Sequence, residues 1–186
     1  MLTFDKVSEF TYNNLTYRVA TSIFEGHKVF LVEGLHVLAM ATYTRIDSSA
    51  PGICVSPDFL NISEKLQEFI LYHEIGHIVN GHITLDENAL EETAEETIER
   101  LKKYEEERYS NDSFDKREFV ADEYAMRKVG KENAIESLRE IEAYMREEFE
   151  NYIEKMTDEE IEESTKYMER FFNEMDARIK YLESLS

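Results

Sequence analysis

The stretch Phe69-Ile70-Leu71-Tyr72-His73-Glu74-Ile75-Gly76-His77-Ile78-Val79 decides how the rest of the chain is read. Leu66, Phe69, Ile70, His73 and His77 fall on one face at helical period. Ile70, Leu71, Ile75, Ile78 and Val79 would bury that helix in a core. The helix is predicted to start at Ser56-Pro57 or at Asn61, which has capping-box spacing to Glu64, and to end near Gly81. Residues 73–77 read H-E-x-x-H. Histidines at i and i+4 share a helical face, so both imidazoles can reach a single ion. Glu74 sits on a neighbouring part of that face. It is poorly placed as a third ligand but within reach of a water at the ion.

Neutral imidazole suits zinc, and a catalytic zinc site has three protein ligands and one open position. A third histidine six residues after the second would meet that need, but Ile83 stands there, and Asn80 replaces the glycine that accompanies it. The better candidate is a glutamate on a later helix. Arg117-Glu118-Phe119-Val120-Ala121-Asp122-Glu123-Tyr124-Ala125 lies in a segment predicted helical from about Asp115 to Val129, stopping at Gly130. Glu118 and Asp122 share a face of it. Glu118 would complete a His/His/Glu set with His73 and His77. Ala121 is small and lets two helices approach closely, and Asp122 can accept a hydrogen bond from the non-ligating nitrogen of one histidine. At such a site zinc polarises the scissile carbonyl and lowers the pKa of water, and Glu74 is the general base that passes the proton on to the leaving amine.

Taken together, His73, Glu74, His77, Glu118, Ala121 and Asp122 resemble the gluzincin metallopeptidases, which share H-E-x-x-H followed by E-x-x-A-[DN]. Two groups are similar. One is often membrane-bound; the other is the small soluble ImmA/IrrE type encoded by mobile elements, phages and bacteria. Short length, strands ahead of the histidine helix and the wording of residues 69–77 look closest to the soluble type. The resemblance covers roughly residues 50–130. It implies a zincin-like fold, bound zinc and endopeptidase activity on a protein substrate. Members of the soluble type often cleave or inactivate a repressor. The chain departs from them in having no evident DNA-binding segment, an acidic insertion at 84–114 and a helical tail at 131–186.

The remaining sequence fits an α+β chain. Residues 1–56 are rich in β-branched and aromatic residues. Val7–Tyr12 and Leu15–Ala20 flank Asn13-Asn14, a pair that tolerates positive φ and predicts a hairpin. Further strands are expected at His27–Val32, His36–Tyr43 and Ile53–Val55, several of them antiparallel. Residues 86–108 carry Leu90, Ala94, Ile98 and Leu101 at helical spacing, and 109–113 read as a loop. In the tail, Leu138, Ile141, Met145, Phe149, Tyr152 and Met156 form one amphipathic stripe. Thr157 and Glu160 make a capping box before a second helix with Ile161, Met168, Phe172, Met175, Ile179 and Leu182. The expected organisation is a metallopeptidase domain at 1–130, carrying the insertion, and an αα-hairpin at 131–186 that packs on the domain or on a second copy.

Composition limits the partners. The chain has 186 residues, 42% of them hydrophobic, enough to bury a core. Its 41 acidic and 21 basic residues give a net charge of −20. That opposes direct contact with nucleic-acid backbone or anionic membrane, and it permits a basic protein substrate or partner. No apolar run of about 18 residues and no signal-like N-terminus is visible, so a cytoplasmic location is expected. The single cysteine, Cys54, excludes an internal disulfide and reads as a small buried hydrophobe. His82 reads as a loop histidine, with contact to substrate or a developing oxyanion as the alternative, and His27 and His36 as structural. Tyr72 and Tyr124 are both candidates for donating to an oxyanion, and nothing in the sequence chooses between them. The rival reading is a non-catalytic acidic binding protein with a structural or vestigial metal site that engages a basic or DNA-binding partner. The presence of Glu74 argues against it, since a structural site does not need that carboxylate.

Overall fold

The structure, a computed structural model, describes residues 2–4, 6–12, 15–33, 35, 37–43, 49–83, 115–153 and 156–186. The chain opens with β1 (Lys6–Tyr12), β2 (Leu15–Phe24), β3 (His27–Val32), β4 (Ala39–Thr42) and β5 (Gly52–Val55), which form one five-stranded sheet in the order β1-β2-β3-β5-β4. Between β2 and β3, Glu25 and Gly26 both have positive φ (48° and 84°), the conformation a two-residue hairpin turn requires.

The sheet is not wholly antiparallel. β5 runs parallel to β3, with Phe30 beside Cys54, and antiparallel to β4. Burial explains the order. Every residue of β5 is buried, so it takes an interior place with a partner on each side. The equally short β4, with Met40 37% exposed, takes the edge. The chain therefore passes to the edge first and returns between β3 and β4.

A 3-10 turn, Pro57–Leu60, follows β5, with Ser56 Oγ accepting from the Phe59 N–H at 3.3 Å. Helix α1 (Glu64–Val79) then begins at Ser63, not at Asn61: Ser63 Oγ accepts from the Leu66 N–H at 3.2 Å. Asn61 is occupied in closing the preceding turn, its N–H donating to the Asp58 carbonyl at 2.9 Å. Leu66, Phe69, Leu71 and Ile75 are all buried, so α1 is enclosed on more than one side.

Helix α2 (Lys116–Val129) starts on the Asp115 side chain and ends at Gly130. Helices α3 (Lys131–Ile153) and α4 (Asp158–Ser184) pack on each other, and α4 opens with the Thr157–Glu160 capping box that its sequence predicts. The core joins Val29, Ile53 and Val55 of the sheet to Phe69 and Ile75 of α1, Ala125 of α2, Leu138 of α3, and Met175 and Leu182 of α4. Val19, Phe30 and Cys54 form a smaller cluster apart from it. The expected Asn13-Asn14 turn, the strand start at His36 and everything at 84–114 lie outside the described residues. Among the described residues, no helix is long and apolar enough to cross a membrane.

Candidate metal centre

The centre is built where α1 and α2 cross. A Cβ placed on Gly76 would lie 2.9 Å from Ala121 Cα and 3.0 Å from the Ala121 carbonyl oxygen. The two backbones thus meet with no side chain between them. Glu118 lies on the turn of α2 just before this contact, and the contact brings its carboxylate against the two histidines of α1.

His73 Nε2 and His77 Nε2 are 3.1 Å apart. Glu118 Oε2 is 3.4 Å from His73 Nε2, and Glu118 Oε1 is 3.6 Å from His77 Nε2. Donors at the corners of a tetrahedron around an ion with bonds of about 2.0–2.1 Å are separated by about 3.3–3.4 Å. The three gaps, those to Glu118 reaching different carboxylate oxygens, lie around that value, so these side chains could hold a single metal ion.

Both outer imidazole nitrogens have partners. His73 Nδ1–H donates to Asp122 Oδ1 at 2.8 Å, and Asp122 is fully buried. Asp122 is gripped in turn by Arg178 of α4, whose Nε and Nη2 donate to its two oxygens at 2.6 and 2.7 Å. Arg178 Nη1 also lies 3.4 Å from Glu118 Oε2. His77 Nδ1 is 3.1 Å from His82 Nδ1. The chain turns back after α1 through Gly81, and the His82 N–H donates to the His77 carbonyl at 3.0 Å.

Sequence reading did not find Arg178, and at His82 it favoured a loop histidine over contact with substrate or a developing oxyanion, not a partner for His77. The one signal for Arg178 is a cation set among the apolar positions Met175, Ile179 and Leu182 of α4. Glu74 lies beside the cluster. Its Oε2 accepts the backbone N–H of Ala41, in the edge strand, at 2.6 Å. Tyr72 packs edge-on against Phe24, and Lys128 lies over the rings of both Tyr72 and Tyr124. Neither tyrosine lines the cleft onto which His73, Glu74 and Glu118 open.

The charges around the cluster are strongly coupled. Burial pushes the His73 ring down, but its bonds to Asp122 and Glu118 outweigh this and raise it to about 10. Burial, and then the charge on His73, push His77 down to about 4, leaving it a neutral donor. Burial would raise Glu118 and Asp122, yet His73 and Arg178 hold both below the ordinary carboxylate range. Glu74 goes the other way: its burial outweighs the lowering by His73 and by the Ala41 N–H, so its carboxyl is raised. Cys54 is pushed up to about 12, first by burial and then by Glu74, which leaves it an inert thiol.

Fold and site together define an α+β protein with a largely buried two-histidine, one-glutamate cluster that could hold a metal ion, its donor atoms all within 4.8 Å of one another. Compared with known proteins, the chain matches no family model, no curated protein and no solved structure.

Proposed function

We propose that the protein is a zinc-dependent endopeptidase of the gluzincin kind, with a zincin-like arrangement of edge strand and metal helices. The observation that carries this reading is His73, His77 and Glu118 gathered closely enough to share an ion, with the raised carboxyl of Glu74 beside them and His73, Glu74 and Glu118 lining a cleft. Two imidazoles and one carboxylate suit zinc, which when bound polarises a carbonyl and makes water acidic enough to lose a proton near neutrality.

The chain's own groups do the rest. Glu74 is the general base. One of its oxygens is fixed by the Ala41 N–H, and its raised pKa makes it a stronger proton acceptor than an ordinary carboxylate. It takes a proton from the attacking water and delivers it to the leaving amine. His73 and His77 are held in orientation by Asp122 and His82.

Strand β4 supplies a way to align a substrate. The Ser56 N–H donates to the Leu38 carbonyl on the β5 side, whereas the Ala41 N–H points away from β5 to Glu74. Backbone groups alternate along a strand, so those of Ala39 also point away from β5, and Ala39 lines the cleft. An extended polypeptide can add there as a further strand.

The test is metal content by elemental analysis for the wild type and Glu118→Ala, followed by cleavage assays of the wild type and Glu74→Gln. One zinc per chain, weakened retention in Glu118→Ala, and zinc-loaded but inactive Glu74→Gln are expected. No metal in the wild type after zinc addition, or undiminished cleavage by Glu74→Gln, would sink the proposal and favour the acidic binding protein.

A further inference from the structure

The cleft above the metal cluster has a volume of about 1020 Å³. Its floor is His73, Glu74 and Glu118, one side is the approach to β4 with Val37 and Leu38, and the other side is the α3–α4 hairpin. The apolar stripes of the two helices divide between two tasks. Leu138 of α3 and Met175, Ile179 and Leu182 of α4 are buried in the core. Further along, Met145 and Phe149 of α3 and Met168 and Phe171 of α4 line the cleft, and Tyr152 and Tyr167, 54% and 40% exposed, line it with them.

The cleft is also acidic. Among the described residues, Asp58, Glu74, Glu118, Glu148, Glu160 and Glu174 line it, against Arg178 alone of the lysines and arginines. Arg178 is engaged by Asp122 and Glu118, so even a bound divalent cation would leave the cleft net negative. Asp58 and Glu148 act on the same place. The Tyr144 phenol is held above its ordinary range first by partial burial and then by these two carboxylates.

The wall has a measurable reach. From Arg178 back to Glu160, α4 rises about 27 Å at about 1.5 Å per residue. A strand at about 3.3 Å per residue covers that length in about eight residues.

We infer that this cleft seats an extended polypeptide segment of about eight residues, with bulky apolar side chains against the α3–α4 hairpin and a lysine or arginine beside them against Asp58 and Glu148. The inference rests on the peptidase reading and names its substrate class. The net charge of −20 acts in the same sense at longer range, drawing basic segments toward the cleft.

The experiment uses the full chain carrying Glu74→Gln, loaded with zinc, and four fluorescently labelled octapeptides. Three share a Leu-Phe-Leu centre, with lysine, glutamine or glutamate flanks; the fourth has lysine flanks and a serine centre. Binding is read by anisotropy at low and high salt. The lysine-flanked apolar peptide is expected to bind at least about ten-fold tighter than the glutamate-flanked one, less so at high salt. It should also bind about ten-fold tighter than the serine-centred one. Asp58→Lys with Glu148→Lys should abolish the preference for lysine flanks, with circular dichroism and zinc content unchanged.

Equal binding of lysine and glutamate flanks, or of serine and apolar centres, overturns the inference. So does a dimer in sedimentation that the lysine-flanked peptide does not dissociate, because a second copy would then fill the cleft. Cleavage by the wild type separates the two proposals. Selective binding without cleavage removes the peptidase reading and leaves the cleft's preference standing; cleavage without preference does the reverse.

Discussion

His73 is fixed from both ends of its ring, one nitrogen at the metal cluster and the other on Asp122, which is itself locked by Arg178. Replacing Arg178 with Met keeps the bulk of the side chain and leaves the buried Asp122 carboxylate with His73 as its remaining partner. Losing one partner of such a pair costs about 3–5 kcal/mol, and the denaturant midpoint should fall accordingly. Arg178→Met combined with Asp122→Asn should recover much of that stability while still holding zinc more weakly than the wild type. If the pair of changes is no better than Arg178→Met alone, the buried charge is not what destabilises the single variant. His82→Ala should weaken zinc affinity about ten-fold, the loss typical of a group that orients a ligand, as read by competition with a chelator. Unaltered affinity would mean His82 does not orient His77. The residues facing the cluster were legible in sequence because two histidines that share an ion on a helix must be spaced i, i+4. Glu118 and Asp122 obey the same spacing. Arg178 and His82 obey none. One reaches Asp122 from a helix far along the chain, and the other depends on how the chain turns after α1.

At the level of the elements, the crossing at Gly76 and Ala121 controls the centre. Gly76→Ala would press a methyl group onto the Ala121 backbone, which cannot yield as a flexible side chain can. The helices must part by a fraction of an ångström. A cost of about 1–3 kcal/mol is expected for such overpacking, together with poorer zinc retention, because Glu118 moves with α2. A fall in melting temperature with full zinc retention would show that the crossing does not set the position of Glu118. Sequence located all five strands within a few residues of their observed places, because glycines and polar pairs punctuate them. It did not show that β5 lies between β3 and β4. That order is decided by which strand is buried throughout, and four residues reading Gly-Ile-Cys-Val do not reveal how many neighbours they have. The start of α1 was also misplaced, since both Asn61 and Ser63 can cap, and the 3-10 turn had already taken Asn61.

For the whole molecule, the coupled charges make stability depend on pH. His73 is raised to about 10 in the folded, metal-free chain, above the unfolded value of about 6.5. Its contribution is complete below about 6.5 and is lost as pH rises toward 10. Asp122 is depressed, so its contribution is complete above about pH 4 and is lost as pH falls through the lower folded value. The metal-free protein should therefore lose melting temperature between pH 6.5 and 10, and added zinc should remove that loss, because a metal takes the place of the proton on His73. A profile unaffected by zinc would show that His73 is not a ligand. The net negative charge was plain from composition, but its concentration along one cleft required the folded chain. Arg178 has one more consequence, set by time rather than space. At about 5–20 residues per second, it leaves the ribosome about 3–12 s after Glu118. During that interval the nascent chain carries its metal-facing side chains without the guanidinium that locks Asp122 and without α4 to wall the cleft. Order of synthesis thus leaves the proposed site incomplete until α4 has been made and has docked.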